Sequence, residues 1–318
     1  MSKSYILRKF LSDPGEALQM WKRAREVDSY VTWRLYTTLK ETGLLQKLQE
    51  KPWWEFADRD LARWVCDILV EKGYARRSGD VISVSSAPER PQITTMDAAD
   101  LAPVVDRVMT LLPRALETGE KPNLFEEKAY YSKVAGSLVY KAIIEAAIEE
   151  MGLSRLSSEA VVADVFSRIG TSVMTLLEMT PARVIAVEPQ PENIEVIKRT
   201  VRLSGQENRV SFVQASPEEM VLPEKVDVVF MANVIHWIMN PRLALVRARE
   251  NLKEKGSVRI IQQVYEGTGL TVPFIHYFFG AVRPPPTKEE LIRLIRDVNL
   301  KVERQLGSFG IVALRATL

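Results

Sequence analysis

The sequence predicts an α/β fold with a seven-stranded, mostly parallel sheet covered by helices on both faces, preceded by a helical module that carries a short hairpin. Three observations lead there. Apolar positions recur at three and four residues through most of the chain before residue 160, the spacing of helices with one buried face. From residue 160 onward, short apolar runs of strand length alternate with helical patterns. The last two runs have no helix between them, which makes them an antiparallel edge hairpin.

The first helical stretch runs from about residue 14 to residue 50, with Pro14 suited to a first turn and Trp21, Ala24, Val27, Val31, Leu35 and Leu39 on one stripe. A second helix spans roughly Asp58 to Lys72, with Leu61, Trp64, Val65, Ile68 and Leu69 aligned and Gly73 ending it. Tyr74 to Val84 then reads as a hairpin turning at Ser78-Gly79-Asp80. Helix, helix, hairpin is a winged-helix-like order. After a polar connector with prolines, a helix is expected near Leu101–Leu112, then a loop, then one long helix from about Lys128 to Met151. These features divide the chain into a module at 1–95, a helical linker at 96–155 and the α/β domain at 156–318.

In that domain the strand runs are Ala160–Val165, Arg183–Glu188, Val210–Gln214, Val226–Met231 and Ser257–Gln263. Helical patterns at Thr171–Met179, Pro191–Leu203 and Pro241–Lys253 separate them. A final helix at Lys288–Val298 precedes the closing runs Lys301–Leu306 and Ile311–Arg315.

Composition narrows the functional classes. The 318 residues are 46% hydrophobic and 26% charged with a net charge of +2, so no polyanion is implied as an obligatory partner. One cysteine, Cys66, and two histidines, His236 and His276, leave little from which to build a metal site, and none is expected. No segment has the length of a membrane span or of a secretory signal, which leads to the expectation of a cytoplasmic protein.

Ligands of open parallel sheets bind at the carboxyl ends of the strands. After the first strand, Asp164-Val165-Phe166-Ser167-Arg168-Ile169-Gly170 holds one glycine where a dinucleotide fingerprint needs several, which weakens any reading as a nicotinamide-dependent oxidoreductase. Glu188 closes the second strand, 24 residues after Asp164, where a carboxylate accepts from ribose hydroxyls or simply stays solvated. His236 follows the fourth strand, where an imidazole serves either as a general base or as a structural group.

With these strand ends, the order of elements and the stretch Phe230-Met231-Ala232-Asn233-Val234-Ile235-His236-Trp237, the chain resembles the S-adenosylmethionine-dependent methyltransferases. Its helical and winged front part is similar to that of the small-molecule O-methyltransferases that dimerise through such a module. The resemblance implies S-adenosylmethionine as cofactor, a small hydroxylated acceptor and a homodimer. It implies that Asp164 and Gly170 belong to the cofactor loop, Glu188 holds the ribose, Ser216 lies near the adenine, Asn233 borders the methionine end and His236 is the catalytic base. The departures are specific: Phe166 and Arg168 stand at the first two glycine places of the loop, Ser216 replaces an acid, and Trp237 follows His236 where the family has an Asp. Asn123 to Tyr131 also resembles the region that closes over substrate, where Tyr130 and Tyr131 would either line an aromatic pocket or, as the preferred reading, pack between the helical module and the sheet. The aromatic run Thr271–Gly280 suits either a substrate-facing element or a buried contact.

A catalytically lapsed methyltransferase fold kept as a binding or scaffolding protein is the alternative reading. A ligand-responsive DNA-binding regulator is a third. Residues 1–95 carry 16 Lys and Arg against 13 Asp and Glu, and the would-be recognition helix opens Asp58-Arg59-Asp60, which faces phosphates unfavourably. Trp53, Trp54 and Trp64 suit a protein contact, hence dimerisation through this module.

Overall fold

The computed structural model describes residues 13–121, 123–265, 269–308 and 310–318. Residues 140–265 with 285–318 form one compact unit, and residues 13–139 with 266–284 form another.

The helical unit opens with α1 (Pro14–Glu41) and α2 (Leu44–Glu50). The expected stripe of α1 is used in its second half: Val31, Leu35 and Leu39 are buried, while Trp21 is 54% exposed. Helix α3 (Arg59–Glu71) starts at Asp58, whose carboxylate accepts from the Leu61 amide at 3.0 Å, an N-cap that satisfies one orphan donor. Its stripe Leu61, Trp64, Val65, Ile68 and Leu69 is fully buried. Strands β1 (Ala75–Ser78) and β2 (Val81–Val84) pair antiparallel, Ala75 opposite Val84 and Ser78 opposite Val81.

Two helices differ from expectation. Helix α4 (Met96–Thr118) is about twice as long as its pattern and runs through Pro103 and Pro113. The buried row Val104, Val105, Val108, Met109, Leu112, Ala115 and Leu116 offsets the amide hydrogen bonds that the prolines forgo. The single long helix is two, α5 (Lys128–Ala135) and α6 (Leu138–Glu150), broken at Gly136 and Ser137. A Cβ at Gly136 would stand 2.8 Å from the Ser132 carbonyl oxygen, so the backbone there is packed for a glycine.

The α/β unit follows with β3 (Val161–Val165), α7 (Thr171–Met179), β4 (Arg183–Val187), α8 (Pro191–Leu203), β5 (Val210–Val213), β6 (Val226–Ala232), α9 (Pro241–Glu250) and β7 (Leu252–Gln263). Helix α9 ends earlier than its pattern because Leu252 already pairs with Val226 as strand. The chain then returns to the helical unit through α10 (Thr271–Tyr277) and comes back with α11 (Lys288–Arg296), β8 (Lys301–Ser308) and β9 (Ile311–Thr317). A capping box at Thr287 and Glu290 starts α11.

The sheet order is β5-β4-β3-β6-β7-β9-β8, parallel from β5 to β7, with β9 antiparallel to both neighbours. Alternate residues of β3 serve opposite faces. Val161, Ala163 and Val165 pack with Leu245 and Ala248 of α9 and with Leu291 and Ile295 of α11. Val162 packs on the other face with Ile144 and Ile148 of α6, Leu176 of α7 and Ile197 of α8. Strand order reverses between β3 and β6, which opens the crevice at their carboxyl ends.

The aromatic run from residue 271 is a cover for α3 within the helical unit. The Trp64 indole donates to the Leu270 carbonyl at 3.1 Å, and the rings of Phe274 and Tyr277 stand edge-on to it, each 6.2 Å away between centroids. The Tyr277 hydroxyl donates to Asp58, at the start of α3. At its end Glu71 accepts from the amides of Gly269 and Leu270 at 3.0 and 3.3 Å. No described helix is long and apolar enough to cross a membrane.

Candidate functional site

The loop after β3 follows a left-handed path that L-residues rarely take. Phe166 has φ +64°, Arg168 +54° and Gly170 +89°. Gly170 also needs its missing Cβ, which would fall 2.9 Å from Ile197 of α8. At Phe166 and Arg168 no glycine relieves the conformation, which costs roughly 1–2 kcal/mol per residue. Hydrogen bonds from the end of β4 hold it. The amides of Phe166 and Ser167 donate to the Val187 carbonyl at 2.8 and 3.0 Å, and that of Arg168 donates to the Glu188 carboxylate at 2.7 Å.

Glu188 is 1% exposed and turned toward this loop. Besides Arg168 it accepts from the Gln190 amide at 3.1 Å and the Asn193 side-chain amide at 2.9 Å. Burial pushes its pKa up against these hydrogen bonds and the Arg168 charge. Asp164 is also 1% exposed and accepts from the Ser172 hydroxyl at 2.7 Å. Its pKa is pushed up to about 6, chiefly by burial, with the Ser172 and Ser167 hydroxyls pulling down and Glu188 adding to the rise.

Arg168 spans the crevice. Its backbone belongs to the loop after β3, yet its guanidinium lies 3.4 Å from the ring centre of Trp237, beyond the end of β6, and 5.2 Å from that of Phe166. The three side chains that most depart from the resemblance thus pack on one another.

At the end of β6, Asn233 has φ +58° and its amide donates to the Ile261 carbonyl at 2.6 Å. Its side-chain oxygen accepts from Gln262 at 3.1 Å and from the Gln263 amide at 3.0 Å, while its nitrogen donates to the Gln263 side chain at 3.1 Å. His236 is fully buried, with Nδ1 3.0 Å from Gln262 Nε2. The orientation of Gln262 follows from its other partners. Its oxygen accepts from the Ile235 amide at 3.0 Å, which leaves its nitrogen, a donor, facing the imidazole. The same nitrogen also donates to the Gln263 carbonyl at 2.9 Å, so its two hydrogens are shared among three partners, and this orientation favours Nδ1 of His236 as acceptor with the imidazole proton on Nε2. A base that acts through Nε2 needs the opposite tautomer.

Ser216 lies past the end of β5, and its hydroxyl donates to Glu219 at 3.1 Å. The structure thus joins Glu188 to the loop after β3, and Asn233 to His236 through Gln262, while Ser216 bonds locally. Three participants went unread in the sequence: Gln262, Gln263 and Tyr140, whose hydroxyl donates to the Ala232 carbonyl at 3.2 Å. Adjacent amides following Ile260 and Ile261 at the end of β7 were a readable signal for the first two; Tyr140 carried none.

Residues 168–260 match the methyltransferase domain family. The matched stretch lies within the α/β unit, whose fold is of the methyltransferase type. Among solved structures, the CurJ carbon methyltransferase is similar over 98% of this chain and 96% of its own, at 14% identity and a TM-score of 0.62. An O-methyltransferase family 2 protein from Planctomyces limnophilus, solved with apigenin, is similar over 94% and 95% of the two chains, at 14% identity and a TM-score of 0.58. These likenesses concern the fold. No curated protein matches in sequence. The α/β unit thus carries Phe166 and Arg168 on a left-handed loop after β3.

Proposed function

We propose that this protein is a methyltransferase that takes S-adenosylmethionine at the crevice between β3 and β6 and methylates a small hydroxylated acceptor. The observation that carries the reading is the left-handed course of residues 166, 168 and 170. Two of those residues gain nothing sterically from it, and strain kept in place by a dedicated carboxylate marks a loop shaped for a ligand. When bound, the cofactor supplies the electrophilic methyl group. Asp164 and Gly170 set the loop, Glu188 holds it and stands nearest the ribose position, Asn233 borders the methionine end and Ser216 the adenine end.

The tautomer of His236 makes it a positioning group in this reading. Through Gln262 it ties the loop after β6 to β7, and alignment of acceptor, methyl and sulfur supplies the main acceleration. The similar structures include a carbon methyltransferase beside an O-methyltransferase, so a hydroxyl acceptor is the narrower part of the proposal.

The second reading, a lapsed enzyme kept for binding, is favoured by the Arg168 guanidinium on Trp237. Calorimetric titration with S-adenosylmethionine, followed by transfer of labelled methyl to a panel of small phenols and carbon acids, separates the two. We expect binding at tens of micromolar and measurable transfer. Binding without transfer leaves the second reading, and absence of both ends the first.

Within the helical unit, support for dimerisation comes from the exposed Leu18 and Trp21 on α1, 55% and 54% accessible. Support against a DNA reader comes from α3. Its length is engaged by residues 269–277, and on its other side Arg63 and Arg77 both pair with Asp67. Light scattering at micromolar concentration tests the homodimer; a monomer overturns it.

A further inference from the structure

Three arginines stand in one row across the last strands of the sheet. Arg259 of β7 pairs with Arg315 of β9, and Arg315 with Arg304 of β8. Residues directly opposite on antiparallel strands share a face, with Cβ atoms roughly 5 Å apart. The same register sets Lys301 opposite Thr317, two residues from Arg315 and therefore on that face as well. It is the face that α6 covers, since Ile261 and Ala313, two residues from Arg259 and Arg315, pack with Ile144 and Ile148. Helix α6 ends at Glu150, and the row passes from buried Arg259 through partly exposed Arg315 to exposed Arg304.

The row carries more positive charge than the chain around it answers. Arg259 is 7% exposed. Its Nε donates to the Ser257 hydroxyl at 3.1 Å, and its Nη1 to the Met151 carbonyl at 2.6 Å, just past the end of α6. Both acceptors are neutral, and no carboxylate pairs with Arg259 among the described residues. Burial and the facing Arg315 charge together pull its pKa down to about 10. Glu303, the extra residue of the bulge between Val302 and Arg304, lies 3.5 Å from Arg315 Nε. Both members of that pair are 40% exposed, so solvent screens it. Glu150 lies further along the face, beside Leu306 and Ile311, and has a contact of its own. Like charges directly opposite one another destabilise a sheet, and a buried charge without a counter-ion costs more still. An anion from solution offsets both, and guanidinium forks suit the oxygens of a phosphoryl group.

We propose that Arg259, Arg315 and Arg304 form a binding site for a doubly charged tetrahedral oxyanion, either free phosphate or the phosphate monoester of a small molecule. The site lies toward the β8 edge of the sheet, and it does not depend on the reading of the crevice between β3 and β6. Arg315 stands between the other two, Arg259 is fixed by Ser257 and Met151, and Arg304 supplies the exposed arm.

The test is a titration of the full chain with inorganic phosphate and, in parallel, with glycerol phosphate, at constant ionic strength set by sodium chloride. The wild type should bind at least one of them with a dissociation constant of about 1 mM or below by calorimetry. At about 10 mM that ligand should raise the melting temperature by roughly 2–4 °C over chloride. Tighter binding of phosphate identifies a free anion as the ligand, and tighter binding of the ester identifies a phosphorylated small molecule. Arg315→Gln should weaken binding at least about tenfold, and Arg304→Gln roughly three- to tenfold. Arg296→Gln removes the same charge from the exposed side of α11, on the opposite face, and should change binding by less than about twofold. If Arg315→Gln does not fold, Arg304→Gln decides alone, because it alters an exposed side chain only. A wild type that responds to both ligands no more than to chloride overturns the proposal. Binding left unchanged by Arg304→Gln and Arg315→Gln also overturns it, as an adventitious ion only. An equal loss in Arg296→Gln overturns it too, since net charge and not the row would then hold the anion.

Discussion

A buried carboxyl with a raised pKa leaves a signature in stability, and Asp164 is the clearest instance. Below its unfolded value of 3.8 the group is neutral in both states and costs nothing. As pH rises from there to about 6, the unfolded chain releases the proton while the folded chain keeps it, so folding stability falls; above that it stays flat. Two pKa units correspond to about 3 kcal/mol as an upper figure. Asp164→Asn keeps an acceptor for Ser172 and removes the titration. Urea unfolding near pH 4 and pH 7 should show the variant gaining about 1–3 kcal/mol on the wild type between the two. Parallel profiles would show that Asp164 is ionised in the fold at little cost. His236 has a signature needing no substitution. With only two histidines in the chain, nitrogen-15 spectra should identify the Nε2–H tautomer for the one bonded to Gln262. An Nδ1–H signal instead would restore the base implied by the family resemblance. Neither the tautomer nor the Arg168–Trp237 stack was legible in sequence. Each departing residue could be named in isolation, but their contact joins positions 69 apart, and the amide that sets His236 lies on another strand.

Elements were legible where periodicity was unbroken and one force dominated. Helices α7 and α8 fall where their patterns lie, because each has one apolar stripe and a clear start, Gly170 and Pro191 respectively. The prolines of α4 mislead, since a local rule about Pro103 and Pro113 loses to tertiary burial of the row between and around them. The break between α5 and α6 was hidden for the opposite reason, because the apolar spacing continues across a position where backbone packing forbids a side chain. Gly136→Ala puts this to a test. Alanine is the better helix former by about 1 kcal/mol, so a continuous helix would be stabilised by it. We expect destabilisation instead, by roughly 1 kcal/mol or more, because the new Cβ meets the Ser132 carbonyl at 2.8 Å. A raised melting temperature would mean that the break is soft. The cover on α3 makes a second claim at this scale. Tyr277→Phe leaves the buried Asp58 carboxylate without its phenol donor and should cost about 1–3 kcal/mol in urea unfolding. An unchanged midpoint would show the hydrogen bond to be incidental.

At the scale of the whole chain the sequence order and the compact units disagree. A division into consecutive domains follows naturally from a pattern that reads helical first and α/β afterwards, but contacts assign residues 266–284 to the helical unit and 285–318 back to the α/β unit. The aromatic run at 271–280 could be noticed in sequence but not placed, since nothing local tells a substrate-facing element from a piece of another unit's core. The return has an energetic consequence. Trp64 is 1% exposed, and part of what buries it is α10: Phe274 and Tyr277 against its ring and the Leu270 carbonyl on its indole nitrogen. A fragment of residues 13–139 therefore ends with a large aromatic uncovered, Glu71 without its two amide donors, and Asp58 without Tyr277. Losing that burial and those hydrogen bonds should cost roughly 3–5 kcal/mol, a large share of what holds a unit of this size together. We expect the fragment to unfold at low urea with red-shifted tryptophan emission. The same fragment joined by a flexible glycine-serine linker to residues 269–284 should regain a cooperative transition and a blue-shifted spectrum. If the bare fragment is as stable as the linked one, α10 is a passenger on α3, and the helical unit is complete in residues 13–139 alone.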